Sequence, residues 1–167
     1  MFTQMQNNTG KIILGIDPGY DRLGVCVLFY NGDSSGEVIY SGCISSQKKD
    51  TFEKRLYAVC SEVEKLFSLH TISAIALEDV FFQNNQKTAT KVAEVRGALK
   101  YIAQNKGVPL FEYTPNQIKV AVTGNGRGDK TAMRDMLEKM LILEEKKRLD
   151  DEFDAIGIAL TCAVSER

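Results

Sequence analysis

The sequence predicts a mixed α/β layer fold in one domain, and three observations carry that prediction. Residues 11–45 hold three apolar runs rich in β-branched and aromatic residues, joined by short turns. From residue 50 the apolar spacing changes to that of helices. Beyond it, two more short apolar runs alternate with helical segments, the signature of strands and helices packed in layers. The result is a five-stranded mixed sheet, three antiparallel strands followed by two parallel ones, flanked by helices.

The elements follow in order. Lys11–Asp17 (KIILGID) is an apolar strand ending on an acid, and Pro18-Gly19 turns the chain. Arg22–Tyr30 (RLGVCVLFY) is a second strand, since Val, Leu and aromatic side chains suit a pleated, half-buried surface. Asn31–Gly36 (NGDSSG) is a hairpin turn, so Glu37–Ser45 pairs back as a third strand. In Asp50–Leu69, Phe52, Leu56, Val59, Val63, Leu66 and Phe67 recur at helical spacing. Ile72–Leu77 (ISAIAL) is a fourth strand with Glu78 at its end. Thr88–Asn105 is a helix with Ala89, Val92, Val95, Leu99 and Ile102 along one side, and Val108–Tyr113 is a fifth strand. Pro115–Val122 starts on a proline, whose missing N–H costs nothing in a first helical turn. Thr123–Gly128 (TGNGRG) is a loop, and helices over Asp129–Leu143 and Asp151–Ser165 flank the charged stretch Glu144–Asp150. Residues 1–10 are a polar tail, and residues 11–167 form the single domain.

Composition excludes several classes. With 44% hydrophobic and 26% charged residues the chain is neither disordered, collagenous nor a coiled coil. No run approaches the ~20 apolar residues of a membrane span, and the first residues lack the pattern of a signal peptide. A cytoplasmic protein is expected. Cys26, Cys43, Cys60 and Cys162 are far apart with no C-x-x-C pair, so buried reduced thiols are expected, not a disulfide framework or a zinc site. The only histidine, His70, has no flanking sequence that suggests nucleophilic catalysis. Gly124 with Lys130-Thr131 imitates a phosphate-binding loop, but Asp129 stands where that motif needs glycine, and a carboxylate there repels phosphate.

The acids carry the chemistry. Asp17 and Glu78 each close an apolar strand, where a turn former is the ordinary explanation. Asp151 and Asp154 open an amphipathic helix, where the macrodipole favours acids, and their spacing of three puts them on one face that Ile158 continues into the core. If strands one and four are neighbours, the four carboxylates converge. Two such charges at ~4 Å repel by about 4 kcal/mol even at an effective dielectric of ~20, so the cluster needs cations. Oxygen-only ligands point to magnesium or manganese. Two such ions suit in-line displacement at phosphorus.

ILGIDPGYDRLGV at 13–25, ALEDVFF at 76–82 and DDEFDAIGIAL at 150–160 resemble the RuvC family of Holliday junction resolvases, within the ribonuclease H superfamily. The resemblance runs from Lys11 to about Val164. It implies a ribonuclease H-like fold and a metal-dependent endodeoxyribonuclease that resolves four-way DNA junctions by paired nicks. Asp17, Glu78, Asp151 and Asp154 match the family's catalytic and metal-binding acids, with Asp17 as the ligand shared by two Mg2+ ions, for which Mn2+ is a substitute. Asp150 is the fallback for Asp151, and Glu152 is expected in solvent. The aromatic at Phe81 implies stacking on junction bases, with Phe82 beside it, against an ordinary core role for both. Gln83, Asn84 and Asn85 suit polar contacts to DNA. Lys119 and Lys130 match lysines important for activity in the family, and Arg127 in the glycine-rich loop suits a phosphate contact. The expected partners are junction DNA, a second copy in a twofold homodimer through the Thr88–Asn105 helix, and a RuvA–RuvB branch-migration helicase. A YqgF-like nuclease acting on RNA and a junction-binding protein that does not cut are the alternatives.

Taken alone, the net charge of -1, from 21 bases and 22 acids, argues against DNA binding. It hides a segregated distribution, for Gln83–Arg134 holds nine bases against three acids, a local net of +6.

Overall fold

Alternation of side chains along the strands fixes both faces of the sheet, and helices then cover each face. The computed structural model describes residues 10–19, 21–32, 36–79 and 86–166. In chain order the elements are β1 Lys11–Asp17, β2 Arg22–Tyr30, β3 Gly36–Ser45, α1 Phe52–Leu69, β4 Ala74–Glu78 and α2 Gln86–Lys106. They continue as β5 Leu110–Tyr113, α3 Pro115–Thr123, α4 Lys130–Met140, β6 Leu141–Ile142 and α5 Asp150–Ser165. The sheet order is β5-β4-β1-β2-β3-β6. β1, β2 and β3 pair antiparallel, while β1 with β4, β4 with β5 and β3 with β6 are parallel.

The sheet has six strands among the described residues, not the five expected from the sequence. The predicted helix to Leu143 ends at Met140, and Leu141 is extended (φ -121°, ψ 149°) and pairs with Gly36. Leu141 is buried in this strand, and an apolar residue at the end of a helical pattern suits the last turn of a helix equally well, so its hydrophobicity does not distinguish the two. Asn31–Gly36 extends beyond the described residues, as do residues 1–9 of the polar tail.

On one face Leu14 and Ile16 of β1, Leu23, Val25 and Val27 of β2, and Ile75 and Leu77 of β4 pack against Val59 and Val63 of α1 and Val95 and Leu99 of α2. On the other, Ile13, Cys26, Leu28, Ala74 and Ala76 meet α5 and, behind it, Ile118 and Val122 of α3 and Leu137 of α4. Small residues let α5 press close on this second face. A Cβ on Gly15 would lie 2.3 Å from the Ala155 carbonyl oxygen, and one on Gly24 only 2.0 Å from that of Asp151. Glycine is required at both positions because another backbone occupies the space.

Capping explains the starts of α3 and α4. The Thr114 hydroxyl accepts from the Gln117 N–H at 3.2 Å while Gln117 Oε1 accepts from the Thr114 N–H at 2.8 Å, and Gly124 ends α3 in the left-handed region (φ 70°). Asp129 caps α4 by accepting from the Ala132 N–H at 2.8 Å. The acid that breaks the phosphate-loop pattern is therefore a helix cap.

Candidate active site

Period-two alternation puts Asp17, Gly15 and Ile13 on the face that α5 covers, and Glu78, Ala76 and Ala74 likewise on β4. The parallel register pairs Ile16 with Leu77, and one step beyond it Asp17 and Glu78 stand at the carboxyl ends of adjacent strands. Over that edge sits the amino-terminal turn of α5, with Asp151 and Asp154 one turn apart. Asp151 lies beside the end of β1 because Gly24, which pairs with Asp17, leaves room for its backbone.

The electrostatics are those of a carboxylate cluster. Burial, then the charges of Glu78, Asp154 and Asp151, push the Asp17 carboxyl up to about 7, with Lys130 opposing. Burial followed by Asp154 raises Glu78, against Arg96 and Lys130. Asp154 is raised by burial, with Lys130 as the main opposing charge. The Lys130 Nζ lies 3.6 Å from Asp154 Oδ2 and 3.8 Å from Asp150 Oδ2. Asp151 pairs with Arg22 at 2.9 Å, and the Cys43 thiol is 3.9 Å from the same carboxylate oxygen.

The adjacent acids of α5 separate clearly. Asp150 is 56% exposed and is held by Arg134 and Lys130, and its charge acts on Asp154. Asp151 is 21% exposed and acts on Asp17 directly. One residue on a helix is a rotation of about 100°, which turns Asp150 outward and Asp151 inward. The expectation that Glu152 lies in solvent is incorrect, because Glu152 is 7% exposed. It accepts from the Ser41 hydroxyl at 2.9 Å and pairs with Lys146 at 3.4 Å. The rotation that turns Asp150 out turns Glu152 towards β3.

Lys119 and Lys130 line one groove with Glu78, Asp154, Ile118 and Met133. Arg127 is exposed in the loop between α3 and α4, and its N–H is held by Asn125 Oδ1 at 3.0 Å. Phe81, Phe82, Gln83, Asn84 and Asn85 lie outside the described residues. Parts of the basic segment have other work. The Arg96 side chain, almost wholly buried, donates to the Glu78 carbonyl oxygen and pairs with Asp79 and Glu112, while Lys100 pairs with Glu112. Cys26 and Cys162 are buried as expected, whereas Cys43 and Cys60 are only partly so, and all four are free thiols.

Arg22 and Arg96 were not singled out from the sequence. Arg22 sits inside the DPGYDRLGV motif, which is a usable signal, whereas Arg96 looks like any base on a helix. As the side chains are turned, no three acids among the described residues ring a single point. The donor set nevertheless suits a hard divalent cation, since it is all carboxylate oxygen and its repulsion and burial are relieved by positive charge.

Known proteins with the same pattern are numerous. The family model described as crossover junction endodeoxyribonuclease RuvC matches residues 13–162. The chain is 37% identical over 155 residues to the crossover junction endodeoxyribonuclease RuvC of Thermosipho melanesiensis, covering 93% of this chain and 98% of that one. It is 38% identical over 154 residues to the protein of the same name from Pseudothermotoga lettingae, covering 92% and 94%. Among solved structures, T. thermophilus RuvC in complex with a Holliday junction substrate superposes with a TM-score of 0.86 at 29% identity, over 92% of this chain and 93% of that one. The yeast mitochondrial Holliday junction resolvase, at 14% identity and a TM-score of 0.68 over 92% of this chain and 76% of that one, shares the fold.

Proposed function

The chain belongs to the RuvC family of crossover junction endodeoxyribonucleases, and from that premise we propose that it resolves four-way DNA junctions by paired, symmetric nicks during recombination and repair. The observation that carries this reading is the convergence of Asp17, Glu78, Asp151 and Asp154 at one sheet edge, beside a groove that also holds Lys119 and Lys130. A protein that only bound junctions would gain nothing from carboxylates facing phosphate.

Membership implies divalent-metal dependence. Asp17, Glu78, Asp151 and Asp154 would hold the ions, two Mg2+ on this reading, with Mn2+ as a substitute. When bound, such ions neutralise charge on the phosphodiester and polarise water for in-line attack. The residues of the chain supply the rest. Asp17 and Glu78 project from strands whose pairing fixes their backbone positions, so that turning of side chains alone would complete the donor set. Lys130, close to Asp154, adds positive charge where the scissile phosphate gains negative charge. Lys119, in the same groove, and Arg127, on the adjoining loop, contact flanking phosphates. Phe81 stacks on junction bases, with Phe82 beside it, where an aromatic contact contributes roughly 1–3 kcal/mol per base. The products are a 5′-phosphate and a 3′-hydroxyl.

Two nicks on opposed strands need two sites, and a twofold dimer supplies them with the symmetry of the junction. On α2, a Cβ at Gly97 would meet nothing within 4 Å and Tyr101 is 71% exposed, which leaves that helix surface to a second copy. The same reading places the protein in the cytoplasm with the DNA and with a RuvA–RuvB helicase. The test is incubation with labelled four-way junction, duplex and RNA hairpin in Mg2+. Symmetric nicks in the junction alone, lost in Asp17→Asn with junction binding retained, are expected. Cleavage of RNA alone would replace the substrate, and binding without cleavage in Mg2+ or Mn2+ would replace the enzyme with a binding protein.

A further inference from the structure

Glu152 is a buried carboxylate placed between two acids of the site, and it faces away from both. Its Oε2 accepts from the Ser41 hydroxyl on β3 at 2.9 Å and lies 3.4 Å from Lys146 Nζ. Its Oε1 accepts from the Leu149 N–H at 3.4 Å, the N–H at the start of α5. Leu149 has no polar side chain to cap the helix, so Glu152 supplies half of a capping box alone. Ser41 is held from other sides as well, since Lys146 Nζ donates to its carbonyl oxygen at 2.7 Å and Arg148 Nε to its hydroxyl at 3.1 Å. The knot joins the edge side of the sheet, the segment before α5 and the first turn of α5.

Stability alone is a poor reason for such a group. A buried ion pair loses much of its attraction to desolvation, and well-packed apolar side chains of similar volume often do as well or better. What the knot fixes is rotation. Adjacent helical residues are about 100° apart, so anchoring Glu152 to Ser41 sets which neighbours face β1 and β4. We infer that Glu152 is a positioning residue, which locks the rotation of the α5 amino-terminal turn so that Asp151 and Asp154 face Asp17 and Glu78. This rests on the reading that those four acids hold the metal.

The experiment measures Mn2+ binding to the purified full chain by electron paramagnetic resonance, beside thermal melting and junction binding without divalent ions. Glu152→Ala is expected to weaken Mn2+ binding by about 10-fold, the lower end of what loss of a supporting group costs a metal site, with junction binding unchanged. Glu152→Gln keeps one oxygen to accept from the Leu149 N–H, while its amide NH2 can only donate to the Ser41 hydroxyl, so it is expected to restore part of the affinity. If Glu152→Ala does not fold, Ser41→Ala removes the hydroxyl partner alone, with a smaller loss of Mn2+ affinity in the same direction expected. A folded Glu152→Ala, or failing that Ser41→Ala, with unchanged Mn2+ affinity overturns the inference. Asp17→Asn separates the two readings. If it binds Mn2+ normally, the metal assignment itself fails; if it loses Mn2+ while the Glu152 variant does not, only the positioning role fails.

Discussion

The two faces of the sheet are built from the same strands and differ in what their alternate residues do. Towards α1 and α2, the strands present Leu14, Ile16, Val25, Val27, Ile75 and Leu77, all fully buried, and the contact is made by bulk. Towards α5, β1 and β2 present glycine at positions 15 and 24, and β4 presents Ala74 and Ala76 before ending in Glu78. The first face fills space. The second gives up side-chain volume so that a helix lies against the strand backbone, and that closeness carries Asp151 and Asp154 to the end of β1. Burial that holds a site together and burial that brings charges together are thus separate properties of one sheet.

Substitutions on the two faces therefore have different consequences. The largest effect is expected at Asp17 on the α5 side. Asp17→Asn lowers the junction nicking rate by about a thousandfold, some 4 kcal/mol of barrier, with junction affinity in a gel-shift assay unchanged. Leu14→Ala on the opposite face breaks packing without touching the acids. It is expected to cost about 2–5 kcal/mol in denaturant unfolding, while the nicking rate per folded molecule stays at the wild-type value. Gly15→Ala inverts that pattern. The added methyl meets the Ala155 carbonyl, so a loss of about 1–3 kcal/mol comes with a disproportionate fall in nicking, as α5 is pushed off the sheet.

The pH dependence of the metal-free protein should also belong to the α5 face. Asp17 titrates near 7 when folded and near 3.8 as a free carboxyl. Between those values the folded state holds a proton that the unfolded chain has released, so stability falls as pH rises through that window. Glu78 and Asp154 are raised and act in the same direction. The melting temperature without divalent ions is expected to drop from pH 5 to pH 8, and Asp17→Asn should flatten the slope. An equally steep slope in Asp17→Asn would move the origin elsewhere. The smallest effect is expected at Lys119, where Lys119→Ala weakens junction binding a few-fold and lessens its salt dependence.

Much of this was legible along the chain because it is local. Alternation placed Asp17 with Gly15, and Glu78 with Ala76, on one face of their strands, and a spacing of three placed Asp151 with Asp154 on one side of a helix. The acidic motifs in order supplied the family. Less local features were lost or misjudged. Glu152 looked solvated because an isolated glutamate in a first helical turn gives no sign of the serine on β3, 111 residues earlier, that binds it. The sixth strand was missed because a two-residue pairing has no periodicity.

The sequence by itself determined the five longer strands, the helices, the acids and the faces they share, since each depends on φ, ψ and the pitch of one segment. Only the tertiary structure decided that β4 lies beside β1, and that α5 crosses at the glycines with Asp151 inward and Asp150 held out by Arg134. Only there does Lys130 come to face Asp154. Those outcomes depend on which distant surfaces meet. Packing settles that by fitting volume and charge over the whole chain, and no window of residues contains it.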